Sequence, residues 1–224
     1  MKLNQNTQDI LKNFSLINTN ILIKEGTELS TISTMRNIFA KATITESFEK
    51  EFGVYDLNQF LSVVSSLNKP ELNLQDKFMT IASEGSKSKV KYFYSDPSVI
   101  VAPTKEVNMP EADVTFSLSE SNLKELLKMA AILATPDLAL VGEKGGDVVL
   151  KVCDKKNDTS NNFDIVVGEN ATADYTFYFK VENLKMMSGN YDVSVSSKSI
   201  SHFQNTKLPI QYWIALEPDS NISK

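Results

Sequence analysis

The chain has 224 residues, a mass of 25.0 kDa and a formal net charge of −5, with 42% hydrophobic and 23% charged positions. One cysteine and one histidine exclude an intrachain disulfide, a cysteine-rich zinc site and a histidine-rich metal site. The length allows one large domain or two of about 110 residues, and the negative charge argues against a protein that coats nucleic acid through an overall basic surface.

The first half of the sequence predicts two helices separated by strands. Apolar residues at helical spacing from Ile10 to Ile17 predict a helix that begins near Asn6, with Lys12 on its opposite face. Asp56 is a typical N-cap for a second helix. The remaining patterned segments predict strands over 21–23, 29–32, 38–45, 48–55, 71–75, 78–82 and 90–94.

A proline-marked segment follows near the middle of the chain. Pro97, Pro103 and Pro110 oppose a regular helix or sheet interior, so the segment predicts an extended linker. We therefore expect an N-terminal domain over 1–95, a linker over 96–112 and a C-terminal domain over 113–224.

The second half repeats the order of the first. Ser119 is a typical N-cap for a long helix, and Pro136 ends that helix. A short helix is predicted over 182–187, before Gly189. Strands are predicted over 114–118, 138–141, 148–152, 163–167, 175–180, 191–195, 202–205 and 210–216. The shared order predicts two copies of one α+β unit.

The sequence contains no recognisable catalytic motif. The run from Gly142 to Gly146 lacks the spacing and the Gly-Lys-Ser/Thr ending of a phosphate-binding loop, and it is predicted to be a hairpin turn. No nucleophile motif surrounds Cys153 or His202. We expect a protein that is not an enzyme and that uses no cofactor or metal.

No membrane-spanning segment is predicted. No window approaches the roughly 18 consecutive apolar residues that a membrane helix requires. The first residues after Leu3 are polar and do not form the apolar core of a signal peptide. We expect a cytoplasmic protein without membrane contact.

The polar faces of the predicted helices lean basic, although the chain is acidic. Lys124 and Lys128 are four residues apart and share one helix face. The other lysines of this kind lie on the first helix, after the second helix and on the short fourth helix. The full set is Lys12, Lys69, Lys124, Lys128 and Lys185.

Short segments spread in order over nearly the whole chain match a known family. They are Leu11-Lys12-Asn13-Phe14, Tyr55-Asp56-Leu57-Asn58, Asp96-Pro97-Ser98, Asn183-Leu184-Lys185-Met186 and Ala215-Leu216-Glu217. With these segments the chain resembles the DNA polymerase sliding clamps, or processivity factors, of T-even-type myoviruses. Their order and spacing, rather than any one motif, carry the resemblance.

The resemblance implies an α+β clamp fold with two similar domains, in which helices lie on one face of antiparallel sheets. It implies a homotrimeric ring that encircles duplex DNA without sequence preference and tethers the replicative DNA polymerase. An ATP-dependent clamp loader would open this ring in the cytoplasm of the infected bacterial cell. By position, the five lysines become candidates for the DNA-facing surface.

The resemblance also implies two kinds of protein contact. A partner-peptide groove is expected beside the linker and the C-terminal strand, at Val107, Met109, Pro110, Ile214 and Leu216. Trimer contacts are expected between edge strands of unlike halves, with Val90, Tyr92 and Tyr94 against Phe163 and Ile165. A monomeric peptide-binding adaptor that does not encircle DNA is the alternative, and a solution mass of 25 kDa would favour it.

Overall fold

The structure is a computed structural model that describes residues 1–223. The chain divides into two compact units, the first ending at Glu106 and the second beginning at Val107. Among the described residues, no helix is both long and apolar enough to span a membrane.

The helices of the first unit are α1 (Gln5–Ile17) and α2 (Leu57–Ser66). Each begins at a side-chain cap: the Asn4 side chain accepts a hydrogen bond from the backbone N–H of Thr7, and Asp56 accepts one from that of Gln59. The strands are β1 (Ile21–Ile23), β2 (Gly26–Ile32), β3 (Ile38–Phe48), β4 (Phe52–Val54), β5 (Pro70–Leu74), β6 (Phe78–Ser83) and β7 (Val90–Phe93).

All strand pairs of the first unit are antiparallel. β1 pairs with β4, β2 pairs with β3, and β6 lies between β5 and β7. The free side of β5 is covered at Leu72, which exchanges two backbone hydrogen bonds with Met1, at 2.6 and 2.8 Å. β7 is therefore the open edge of the β5–β6–β7 sheet.

The helix of the second unit is α3 (Glu120–Leu133), capped by the Ser119 hydroxyl and ended by Ala134 in the left-handed conformation (φ 52°). The strands are β8 (Val114–Leu118), β9 (Asp137–Gly142), β10 (Val148–Cys153), β11 (Phe163–Gly168), β12 (Tyr175–Lys180), β13 (Tyr191–Ser196), β14 (Ile200–Asn205), β15 (Ile210–Ala215) and β16 (Asn221–Ile222).

These strands also pair antiparallel throughout. One sheet has the order β11–β10–β9–β12–β16, and the other strands follow one another as β8–β13–β14–β15. The C-terminal residues run along β12, because β16 pairs with Tyr175 and Thr176 and the Glu217 N–H donates to the Tyr178 carbonyl. β11 is the open edge at the other side of this sheet.

Ion pairs hold the C-terminal segment to this sheet. Lys155 Nζ lies 2.6 Å from Asp219 and 3.3 Å from Glu217, and Lys180 Nζ lies 2.5 Å from the buried carboxylate of Asp137. The hydrogen bond from Lys155 lowers the pKa of Asp219. Although burial opposes the charge of Lys155, its hydrogen bonds to Asp219 and Glu217 raise the pKa of the Lys155 ammonium.

The prediction of a short helix over 182–187 is wrong. The structure has a 3₁₀ turn over Val181–Asn183 and an irregular segment after it. Both backbone groups of Met187 bond to side chains of later strands: its N–H donates to the Tyr212 hydroxyl, and its carbonyl accepts from the hydroxyl of Tyr191, four residues further on. These bonds replace the internal bonds that a helix would need.

Candidate functional surfaces

The long helices expose lysines on the faces opposite their buried residues. Ile10, Leu11 and Phe14 of α1 are fully buried, whereas Lys12 is exposed. On α3, Lys124 and Lys128 are both exposed; Lys124 Nζ lies 2.5 Å from the Glu120 carboxylate. Three of the five predicted lysines therefore lie on exposed helix faces.

The other two lysines lie outside the helices. Lys69 is exposed between α2 and β5 and has a positive φ of 46°. Lys185 is half-buried in the irregular segment that follows the 3₁₀ turn, because the predicted fourth helix does not form. Its side chain is therefore more restricted than those of the helix lysines.

A polar groove separates the exposed faces of α1 and α2. Its volume is about 350 Å³, and its lining residues include Gln5, Gln8, Lys12, Asn58 and Ser62. The amide and hydroxyl groups in this groove offer hydrogen bonds but little net charge. The sequence analysis did not assign Gln5 and Asn58 a role. Their positions on the outward faces of the helices could have indicated that they line this groove.

A second cavity lies at the C-terminal end of α3, beside the 3₁₀ turn. Its volume is about 470 Å³, and Leu127, Ala130, Thr135 and Val181 contribute to its lining. The two units differ in their helices. The first has two α-helices and a 3₁₀ turn over Pro97–Val99, whereas the described part of the second has one α-helix and a 3₁₀ turn.

The residues predicted for subunit contact lie on or beside the two open edge strands. Val90 and Tyr92 belong to β7, Tyr94 follows it directly, and Phe163 and Ile165 belong to β11. Val90 is exposed and the other four are half-buried. Partial burial raises the pKa of the Tyr92 and Tyr94 hydroxyls, so both stay neutral near neutral pH.

The residues predicted for the partner groove divide into two groups. Val107, Met109 and Pro110 are half-buried in the segment that precedes β8. Ile214 and Leu216 are buried, with 0% and 6% exposure. The first three therefore keep part of their apolar surface accessible, whereas the last two do not.

None of the described residues form a cluster of acidic, histidine or cysteine side chains able to hold a metal ion. Burial raises the pKa of the half-buried Cys153 thiol. A raised pKa keeps this thiol protonated and weakly nucleophilic.

Comparison with known proteins identifies the fold and the family. A family profile described as DNA polymerase processivity factor matches residues 3–102, and one described as gp45 sliding clamp, C terminal, matches residues 115–218. The sliding clamp of Vibrio phage KVP40 is 32% identical over 97% of this chain and 99% of its own length. The sliding clamp of Enterobacteria phage T4 is 28% identical, with 98% of both chains covered.

Solved structures share the fold at much lower identity. A PCNA of A. fulgidus, bound to the C-terminal region of FEN-1, has a TM-score of 0.70 at 14% identity, with 96% of both chains covered. The PCNA of Entamoeba histolytica has a TM-score of 0.65 at 15% identity, with 94% of both chains covered. The predicted α+β clamp fold with antiparallel sheets is therefore confirmed, as is the expectation of a non-enzyme. The chain belongs to the gp45-type sliding clamps, the non-catalytic processivity factors of phage DNA polymerases.

Proposed function

We propose that three copies of this chain form a closed head-to-tail ring around duplex DNA. The ring tethers the replicative polymerase, and an ATP-dependent clamp loader opens it in the cytoplasm of the infected bacterial cell. The main supporting observation is that β7 ends the β5–β6–β7 sheet of the first unit and β11 ends the β11–β10–β9–β12–β16 sheet of the second. A contact between unlike edges generates a ring when the rotation closes.

The proposed subunit contact extends the sheet from one copy into the next. β7 of one copy pairs with β11 of its neighbour, which satisfies the backbone groups that an edge strand leaves unpaired. Val90 and Tyr92 then meet Phe163 and Ile165, and Tyr94 lies at the end of the contact. Their partial exposure in a single copy leaves apolar area for the neighbour to cover.

The proposed DNA surface is formed by the exposed faces of the helices. Lys12, Lys124 and Lys128 would contact phosphates through water or directly, with Lys69 and Lys185 at the ends of neighbouring elements. The groove between α1 and α2 adds hydrogen-bonding groups rather than charge. Contacts of this kind do not depend on base sequence.

A sparse set of cations suits a protein that slides. Non-specific electrostatic binding has a Kd of roughly 10⁻⁴–10⁻⁶ M. With an association rate near about 10⁷ M⁻¹s⁻¹, such a complex dissociates at roughly 10–10³ s⁻¹. A closed ring leaves DNA only by opening or by reaching an end, so its topology supplies the long residence.

The proposed partner site uses the apolar segment that precedes β8. Val107, Met109 and Pro110 would receive apolar anchors from a short peptide of the polymerase or of the loader, above the buried Ile214 and Leu216. A clamp of the same fold is known with a partner segment, the C-terminal region of FEN-1, bound to it.

Retention of the clamp on circular and on linear DNA tests whether the ring encircles the duplex. Clamp loaded onto nicked circular DNA is expected to stay bound and to be released when that DNA is cut once. Equal retention on circular and linear DNA would contradict encirclement. Sedimentation gives an independent test: three times 25.0 kDa supports the trimer, and a 25.0 kDa species at all concentrations supports a monomeric adaptor.

A further inference from the structure

The two open edge strands have a charged and apolar outer face in addition to the face that joins the core. On β7, Lys91 and Phe93 alternate with Val90 and Tyr92. Register places Val90 opposite Ile81 and Tyr92 opposite Met79, and both partners are fully buried. Lys91 and Phe93 therefore lie on the solvent face of the β5–β6–β7 sheet.

β11 has the same two-faced arrangement. Ile165 lies opposite the buried Leu150, so Phe163 and Ile165 belong to the core face. Asp164 and Val166 alternate with them and lie on the solvent face. Each edge thus presents one charged and one apolar residue to solvent.

The apolar residues of these outer faces are unusually exposed. Phe93 is 62% exposed and Val166 is 51% exposed. Lys91 is held beside Phe93, with its Nζ 4.8 Å from the Phe93 ring and 4.0 Å from the Phe78 ring. Asp164 forms no ion pair within the described residues, although Lys151 lies opposite it on β10. The two strands therefore have complementary groups available for a neighbour.

The exposed charges named at each edge have a single sign, positive at β7 and negative at β11. Lys87 and Lys89 precede Lys91 and are exposed, whereas Glu169 follows β11 and is exposed like Asp164. Pairing β7 with a second β7 would bring lysines together, and pairing β11 with a second β11 would bring carboxylates together. Only the unlike pairing joins opposite charges, so charge selects the head-to-tail arrangement.

The buried residues decide which face of β7 joins which face of β11. A shift of register by one residue would place Lys91 and Phe93 on the face of Phe163 and Ile165. When core face joins core face, Lys91 and Phe93 share the outer face with Asp164 and Val166. Cross-strand neighbours on one face are close enough to interact, directly or along the diagonal.

We propose that Lys91 of one copy pairs with Asp164 of the next on the outer face of the subunit contact, where Phe93 and Val166 form its apolar anchor. This inference rests on the proposed ring and adds the groups that fix its direction and register. It makes ring closure dependent on ionic strength, because the charges are exposed and are screened by salt.

Charge exchange tests the pair. Lys91→Glu and Asp164→Lys, each alone, are expected to raise the protein concentration at which half of the trimer dissociates by about three- to tenfold. The double variant Lys91→Glu/Asp164→Lys restores opposite charges, so its concentration of half-dissociation is expected to return most of the way to that of the wild type. The measurement is sedimentation over a range of concentrations at low salt. Lys198→Glu/Asp147→Lys, which exchanges charges of exposed residues elsewhere in the second unit, is the matched control.

Two further variants separate the contributions. Lys91→Met removes the positive charge, and with it the cation–π interaction with the Phe78 and Phe93 rings, without introducing repulsion, so it should weaken the trimer less than Lys91→Glu. Phe93→Ser should weaken the trimer while leaving the thermal unfolding of the chain nearly unchanged, since Phe93 is mostly exposed.

The outcomes distinguish the pair from the ring. A trimeric wild type whose double charge exchange is as dissociated as the single variants would overturn the Lys91–Asp164 pair and leave the ring standing. A wild type that sediments as a single copy under all conditions would overturn the ring itself.

Discussion

The Nζ of Lys180 lies 2.5 Å from Oδ1 of Asp137, a carboxylate that is only 1% exposed. The other carboxylate oxygen of Asp137 accepts the backbone N–H of Lys155 at 3.1 Å. The two residues are 43 positions apart in the chain, on the neighbouring strands β9 and β12. This pair therefore neutralises a charge that the sheet has taken out of water.

Removal of the cation should destabilise the second unit. Lys180→Met leaves the Asp137 carboxylate buried with only a backbone donor, and we expect the free energy of unfolding to fall by about 2–4 kcal/mol. Urea unfolding at neutral pH measures this loss. Lys156→Met, at an exposed lysine that forms no ion pair within the described residues, is the control. A loss no larger than that of the control would show that the pair contributes nothing.

Attachment of the C-terminal segment should weaken in acid. The hydrogen bond from Lys155 lowers the pKa of Asp219 from its ordinary value of 3.8. A depressed folded-state pKa stabilises the protein above that ordinary value, and the stabilisation is lost as the pH falls through the folded pKa. Wild type should therefore exceed Asp219→Asn in stability at neutral pH, and the difference should vanish in acid.

Urea unfolding of the two proteins over a pH series checks this dependence. Asp158→Asn is the control, because Asp158 is exposed in the loop before β11 and has no recorded partner among the described residues. A difference between wild type and Asp219→Asn that stays constant with pH would contradict the role of the Lys155 hydrogen bond.

Gly189 should not tolerate a side chain. Its φ is 154°, and a Cβ there would overlap the Asn205 Nδ2. Asn205 is itself fixed, because its Oδ1 accepts the backbone N–H groups of Lys207 and Leu208. Gly189→Ala is therefore expected to lower the free energy of unfolding by about 1–3 kcal/mol.

The control for Gly189→Ala is Gly85→Ala. Gly85 also has a positive φ, 74°, but a Cβ at this position meets no atom within 4 Å. It therefore carries the backbone strain without the overlap. Thermal unfolding of both variants separates the two effects, and equal losses would exclude Asn205 as the cause.

Reversal of charge on α3 should impair DNA synthesis but not assembly. Lys124→Glu/Lys128→Glu replaces two exposed cations on one helix face, and we expect the length of DNA made per binding event to fall about two- to tenfold at low salt. The trimer mass should not change. Lys156→Glu/Lys198→Glu changes the net charge equally at exposed sites outside the helices. An equal effect of both double variants would assign the loss to net charge alone.

Truncation of the apolar segment before β8 should weaken partner binding. Met109→Ser removes a half-buried apolar side chain at the proposed peptide site, and the affinity for the polymerase should fall about tenfold. Titration calorimetry or surface binding measures the change. Val99→Ser, which truncates an apolar residue that is 54% exposed, is the control. Unchanged affinity of Met109→Ser would place the peptide elsewhere.

Local signals in the sequence were sufficient for the long helices. Asp56 and Ser119 are the predicted caps of α2 and α3. The spacing of apolar residues predicted α1 as well, but its cap is Asn4, two residues before the predicted start near Asn6. Alternation of apolar residues was likewise sufficient for most strands, although it joined the end of β3 to β4 across a short turn. These elements follow from interactions between residues that are close in the chain.

Long-range contacts account for what the sequence did not predict. The 3₁₀ turn at Val181–Asn183 is not followed by a helix, because the Met187 N–H donates to the Tyr212 hydroxyl, 25 positions later on β15. The Met187 carbonyl accepts from the nearby Tyr191 hydroxyl. β16 exists only because it pairs with Tyr175 and Thr176, more than forty positions earlier. The charges of the α-helices balance, with one aspartate and one lysine on α1 and two glutamates and two lysines on α3, so function was predicted from the family resemblance rather than from composition.

The ends of the chain decide how many neighbours each copy can accept. Met1 occupies the free side of β5, and Asn221–Ile222 occupies the free side of β12. In the proposed assembly, the contact between β7 and β11 makes each copy a bifunctional monomer with one end of each kind, and addition proceeds along a single line. Such a polymer stops growing only when its two ends meet. A substitution that alters the angle between successive copies would consequently produce open filaments where the new rotation does not close, and a ring of another size where it does.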